Sequence, residues 1–454
     1  MAQSQEVSPP GMAKLKRLRQ LGNIDMYQLA MYMLDQYRGT SVSGRYVIPA
    51  YLAGSDARPR LVSTVEAAIC DAVLQHPTLQ VGIADADSRK PTWVQLESLD
   101  LDEHLTWRFL DRSSEFEDVL RETTMSQLDA RFPDLEKRPG WKITLLHQEQ
   151  TDFVEILFTW NHPHADGMSG KIFHETLLRS FDAARTSTAG RDAASRALAL
   201  PASPPDLPPP IERAVKLPRD AGELGAGAHG VGGAALARVL AACRRRRTTL
   251  TGLLHVLALA SLASRVARAR APGFQSLTAV NLRRFIPAPA PHRAMSNCVT
   301  LRTHEFGAAA VAAAVRANIA RRLEAGVRND QVGITKFVGD WQAQMRDTAR
   351  RPRQCSWFVT NLGAIGARPQ REEAEEEDGG EAEGDARAWA LRRAQFAVSA
   401  ETTQAAPMIA TMTVAGEGLR VACSWQECIF DVALGDRVVA DLERWLQQVA
   451  ALPE

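Results

Sequence analysis

Eight consecutive residues, Phe153-Val154-Glu155-Ile156-Leu157-Phe158-Thr159-Trp160, are almost continuously apolar and run without a break into Asn161-His162-Pro163-His164-Ala165-Asp166-Gly167. A strand with one wet face would alternate apolar and polar residues. A continuous apolar run suits a central strand covered on both faces. The chain must therefore build a sheet with packing on each side of it. At the end of that strand it places two His, one Asp, one Pro and one Gly within seven residues. Titratable groups at such a position cost desolvation energy unless they are paired. Loops held on rigid strands are also where reactive groups concentrate.

The surrounding pattern is mixed α/β. Residues 142–147 read as a neighbouring strand, joined to the first by a turn at 148–151. After Ser169 a helix is expected, with Phe173, Leu177 and Phe181 on one side. Upstream, residues 63–76 read as a helix. Ser63 and Glu66 have capping-box spacing, and Val65, Ile69 and Val73 share a face. His76-Pro77 stops it, and Leu79, Val81 and Ile83 then alternate like a strand.

A chain of 454 residues exceeds a typical single core, so two domains are expected. The break falls at residues 201–233, which carry seven prolines and then six glycines. That is the composition of an extended and then flexible linker. The division is an N-terminal subdomain 1–200, a linker 201–235 and a C-terminal subdomain 236–454. In the second half, helices are expected near 248–269, 307–325 and 438–449. Strands are expected at 276–280, 356–363, 395–399 and 407–414, the last pairing with 419–425 through Gly416-Glu417-Gly418. Residues 372–385 hold nine acidic groups and read as part of a solvated insertion, 371–387.

Several function classes are disfavoured. The formal net charge is +1, which gives no general pull toward nucleic acid or an anionic membrane. No stretch reaches the ~20 apolar residues that span a bilayer, and no apolar leader follows the polar N-terminus. A cytoplasmic, reducing location is expected. Six cysteines are scattered, and the nearest pair, Cys423 and Cys428, has no companion ligands, so neither structural zinc nor a disulfide framework is expected. Buried reduced thiols are the plain reading. No Walker-type phosphate loop and no Gly-x-Ser-x-Gly elbow is present. Arg244-Arg245-Arg246-Arg247 reads as the flank of a helix start, with contact to the 3′-phosphate of coenzyme A as the functional alternative. Lys14, Lys16, Arg17 and Arg19 form a second basic cluster, for which membrane-surface association is the alternative.

A neutral His titrates near working pH and can accept a proton from a hydroxyl or amine, typically worth ~10²–10⁴-fold in rate. Gly167 would let the backbone turn tightly, and Asp166 would brace that turn through an Arg. By spacing alone a structural loop capped by Asp166 remains open.

The string "NHPHADGMSGKIFHETLL" resembles the His-x-x-x-Asp-Gly segment of the fungal alcohol acetyltransferase family, within the chloramphenicol acetyltransferase-like superfamily of condensation domains and acyl-CoA acyltransferases. "AAICDAVLQHPTLQVGI", "TTLTGLLHVLALASLA", "AVNLRRFIP" and "WFVTNLG" resemble further segments of that family, in the same order. The resemblance implies two α/β subdomains with mixed sheets and a tunnel between them, and His162 as general base near its middle. It implies Asp166 as structural, Arg283 as its ionic partner with Arg284 as fallback, and Gly167 at the turn. Acetyl-CoA or another acyl-CoA would be co-substrate, without a metal, and the acceptor a small hydroxylated molecule. His164, Trp160, Asn361 and Trp425 are further candidates for the substrate pocket, with core packing the alternative for the two tryptophans.

Two departures matter. Asn161 stands where condensation domains usually carry a second His, which weakens a peptide-forming reading. The plant-type Asp-Phe-Gly-Trp-Gly segment is absent. The alternative keeps the fold and the base but joins a carrier-bound acyl group to its acceptor, or drives a cyclisation or isomerisation without acyl-CoA. The carrier would then be a separate protein. A non-catalytic binding module is a third reading, against which the intact His162, Asp166 and Gly167 argue.

Overall fold

The computed structural model describes residues 16–184, 196–215, 234–267, 273–287, 293–306, 312–324, 330–353, 355–366, 388–400, 403 and 405–452. Two five-stranded mixed sheets organise them. In the first sheet the order is Ala390–Val398, Gly39–Val47, Phe153–Asn161, Trp141–Gln148 and Leu105–Leu110. The apolar run Phe153–Asn161 is its central strand, antiparallel to both neighbours. Val154, Ile156, Phe158 and Trp160 face the main core with Val42, Tyr46, Phe173 and Leu177. Leu157 faces the other way, onto Phe116 and Leu120. Both faces are thus covered, as the uninterrupted run required. Glu155 is the exception: fully buried, it accepts from Arg45 at 2.8 Å.

The second sheet runs Val299–Phe306, Phe274–Asn281, Trp357–Ile365, Met408–Val414 and Leu419–Ser424. Its core side is closed by the helices Leu250–Ala263 and Val432–Ala451 through Leu254, Ala258, Val438 and Leu442. The two sheets do not divide at the linker. Ala390–Val398 comes from the second half of the chain and pairs antiparallel with Gly39–Val47 in the first sheet. This exchange locks the halves together and puts Phe396 and Val398 beside the loop that follows Asn161.

Several boundaries differ from the sequence expectations. The helix expected at 63–76 is Arg58–Gln75, with Pro59 in its first turn. Proline is favoured there because its missing N–H would be unpaired anyway; the Ser63/Glu66 spacing is not a cap. The helix expected near 248–269 is Leu250–Ala263, and Thr249 caps it by accepting from the Gly252 amide. Arg244 and Arg245 do not flank that start. They end the preceding helix, Ala234–Arg245, where cations favour the negative end of the dipole.

The Pro-rich stretch is not a free linker over residues 201–215. Arg19 donates to Pro208 O at 2.8 Å, and Ile211 is buried against Ile24, Leu282 and Cys298. The Gly-rich remainder, the acidic insertion and Lys14 lie outside the described residues. Arg17 of the basic cluster pairs with Asp85 at 2.6 Å. None of the six cysteines is in a disulfide; Cys70, Cys243 and Cys298 are buried, whereas Cys428 is exposed. Among the described residues no helix is long and apolar enough to cross a membrane.

Candidate active site

The central strand ends at Asn161, whose amide donates to Gly140 O at 2.8 Å. A side chain on Gly140 would stand 2.3 Å from Asn161 Oδ1, so the close approach needs glycine. The loop then turns through 162–166 into the helix Gly167–Ala184. Trp160 holds the loop from below, donating from Nε1 to Ala165 O at 2.7 Å. His164 does the same: its Nδ1 lies 2.7 Å from Asn161 Oδ1, and its Nε2 lies 3.2 Å from Val81 O and 3.3 Å from the Gly140 amide. Burial pushes the His164 imidazole down to about 4. Both side chains are fully buried and neither lines the cavity described below.

Asp166 is the node of the site. Arg283 donates to both of its oxygens, at 2.7 and 3.0 Å, in the bidentate geometry that suits guanidinium and carboxylate. The Ser169 amide and hydroxyl donate to Oδ1 at 2.9 and 2.8 Å, and the Cys298 amide to Oδ2 at 3.1 Å. Burial works against the ionised carboxyl, but Arg283 and these donors outweigh it and hold Asp166 below its ordinary value. Arg283 also donates to Ser296 O at 2.8 Å and Ala294 O at 3.3 Å. The ion pair therefore ties segment 294–298 onto the loop. Arg284 does not share this role; its guanidinium lies over the Phe285 ring.

Gly167 does not have the left-handed backbone that glycine favours. Its requirement is space: a Cβ there would meet Phe396 at 2.8 Å and Leu362 at 3.0 Å. The turn is thus pressed against strands from the second half of the chain.

His162 is half-buried. Its Nδ1 lies 2.9 Å from Asn297 Oδ1, and its ring is tilted against Tyr37 with centroids 5.6 Å apart. Burial pushes its imidazole below the ordinary value, opposed by the Asp166 charge and by hydrogen bonds, including that to Asn297. His162 lines a cavity of about 440 Å³ between the two halves. Tyr27, Tyr37, Met168, Trp341, Phe358 and Phe396 supply much of its apolar wall. Thr40, Asn281, Thr300, Thr360 and Asn361 supply polar groups. No Lys or Arg lines it among the described residues, and its single carboxylate, Asp166, is already paired.

The structure brings together His162, Asp166, Gly167, Arg283 and Asn361. Asn361 is in the wall, but it donates to Thr251 Oγ1 at 3.3 Å and accepts from the Gly363 amide at 2.8 Å. Trp425 is elsewhere, packed on Gly435 and Phe430. Reasoning from sequence missed Asn297, Tyr37 and Ser169, and missed the helices Asn23–Met33 and Trp341–Ala349 that carry Ile24, Tyr27 and Trp341 into the wall. No group of three His, Cys, Asp or Glu among the described residues is arranged to hold a metal ion.

Comparison with known proteins agrees with this architecture. The alcohol acetyltransferase family model matches residues 95–224. A probable alcohol acetyltransferase, FCK4, from Fusarium pseudograminearum (strain CS3096) is 24% identical over 483 aligned positions, covering 94% of each chain. The structure of TRI3 trichothecene 15-O-acetyltransferase from Fusarium sporotrichioides superposes with a TM-score of 0.64 at 14% identity, covering 98% of this chain and all of that one. The first condensation domain of the CDA synthetase gives 0.61 at 14% identity, over 96% and 97% of the two chains. The fold is that of the chloramphenicol acetyltransferase-like acyltransferases and condensation domains. The chain shares this fold, and its similarity to the alcohol acetyltransferase family model and to these relatives supports an acyltransferase enzyme.

Proposed function

We propose that the protein transfers an acyl group, acetyl in the first instance, from acyl-CoA to the hydroxyl of a small neutral acceptor, with His162 as general base. The observation that carries this reading is His162 in the wall of a largely apolar cavity between the two halves, fixed at Nδ1 by Asn297. Its free ring nitrogen, Nε2, takes the acceptor proton as the acceptor oxygen attacks the thioester carbonyl. The C–S bond then breaks, and the proton passes from His162 to the departing thiolate. No acyl-enzyme is needed. Among the described residues the lining has no Lys or Arg to meet an anionic acceptor, so a neutral alcohol fits it. The same lack keeps the phosphates of coenzyme A outside this cavity. The alcohol and trichothecene acetyltransferases to which the chain is similar act on hydroxyls, which favours ester formation.

The test is incubation with acetyl-CoA and a panel of neutral and anionic alcohols, with product mass and thiol release as readouts. Ester formation with neutral apolar alcohols, matched one to one by released thiol, is expected. Turnover with acyl-CoA omitted would sink this reading in favour of a carrier-dependent or cyclising enzyme.

A further inference from the structure

We propose that Asn297 is a positioning residue that fixes the tautomer of His162, holding the proton on Nδ1 so that Nε2 presents a lone pair to the cavity. The inference rests on the general-base reading above and adds a residue to it. An amide side chain has a donating and an accepting end, and its surroundings show which is which. Asn297 Nδ2 faces three oxygens: His162 O at 2.8 Å, Pro163 O at 3.0 Å and Asp25 Oδ1 at 3.1 Å. Carbonyl and carboxylate oxygens do not donate, so the other orientation would set Oδ1 against three acceptors. Oδ1 is therefore the atom that meets His162, at 2.9 Å. Because Oδ1 only accepts, Nδ1 must donate. A neutral imidazole has one N–H, so Nε2 is left as the acceptor. Nε2 has no hydrogen bond among the described residues.

Asn297 is itself held on both sides. The Ser296 amide donates to Ser169 Oγ at 3.1 Å, and the Cys298 amide to Asp166 Oδ2 at 3.1 Å. Arg283 clamps Ser296 O while binding Asp166. The Asp166–Arg283 pair thus reaches the reacting imidazole through Asn297, not by contact with substrate. Asp25 completes the chain from behind, and its Oδ2 accepts from the Gly22 amide at 3.1 Å.

The test is ¹⁵N NMR of the full chain with ¹⁵N-labelled histidine, without substrate. The His162 resonance is assigned by its loss in His162→Gln. In the native protein at pH 8, His162 is expected to show a protonated Nδ1 and an unprotonated Nε2. Asn297→Ala is expected to populate the Nε2–H form and to lower kcat by ~10²–10⁴-fold, the usual worth of general-base assistance. KM should change less than about threefold. A native spectrum with the proton on Nε2 overturns the proposal, and it needs no folded Asn297 variant. So does an Asn297→Ala protein whose kcat is unchanged or whose His162 keeps Nδ1–H. Full activity of His162→Gln would instead refute the base reading, a result distinct from any tautomer measurement.

Discussion

The pair Asp166–Arg283 offers the sharpest energetic test. Its side chains are only 3% and 5% exposed. Asp166→Ala removes the acceptor of five hydrogen bonds and leaves the Arg283 cation with neutral oxygens alone. Arg283→Met leaves a buried carboxylate with only Ser169 and the Cys298 amide as donors. Breaking a buried pair from one side typically costs ~3–5 kcal/mol, because the remaining charge is stranded. Each single variant should lose that much in urea unfolding followed by tryptophan fluorescence. The double variant strands no charge, so its loss should fall short of the sum by ~1–3 kcal/mol, the usual scale for groups in contact. Single losses below ~1 kcal/mol, or a double loss equal to the sum within ~0.5 kcal/mol, would refute the reasoning.

Three further outcomes are expected. Gly167→Ala should destabilise by ~1–3 kcal/mol through overpacking against Phe396 and Leu362; adding Phe396→Leu should recover part of it, and an unchanged unfolding midpoint in the single variant would contradict the space argument. The base works neutral, so kcat/KM should be lost as pH falls through the His162 value; burial places this inflection below the ordinary imidazole value of ~6.5, and an inflection above it in the pH–rate profile would contradict the site's electrostatics. Burial, with Glu212 nearby, pushes the Asp25 carboxyl up to about 6. Between an unfolded value of ~3.9 and about 6, the native state binds more protons than the unfolded one. Stability should therefore fall as pH rises across that window, and Asp25→Asn should flatten the fall in urea midpoints measured from pH 4 to 7. An equally steep fall in the variant would assign it to other groups.

The central strand and the loop after it were legible because each has a local signature, a continuous apolar run and a fixed motif spacing. Arg283 has no such signature of its own; only the resemblance of "AVNLRRFIP" to the family segment pointed to it, with Arg284 beside it as an equal in residue type. Asn297 had neither. It lies 135 residues from His162 and 272 from Asp25, in a short irregular segment without periodicity. Only the folded sheets bring these groups together. The same holds for Phe396, which reaches Gly167 because its strand joins the first sheet. His164 misled for a physical reason. It has the residue type of a base, but its ring is used by Asn161 and Gly140, and burial takes its imidazole to about 4. The arginine run at 244–247 was read onto the wrong helix because a helix end and the next start are adjacent there. The Pro-rich stretch over 201–215 is held against the fold by Arg19 and Ile211, contacts that composition does not show.

The most direct measurement of the central claim is single-turnover acyl transfer by His162→Gln, which keeps a polar side chain of similar reach but removes the base. With acetyl-CoA affinity measured alongside by calorimetry, the rate is expected to fall by ~10²–10⁴-fold with affinity within about threefold of native. A variant that transfers the acyl group at the native rate would contradict the claim.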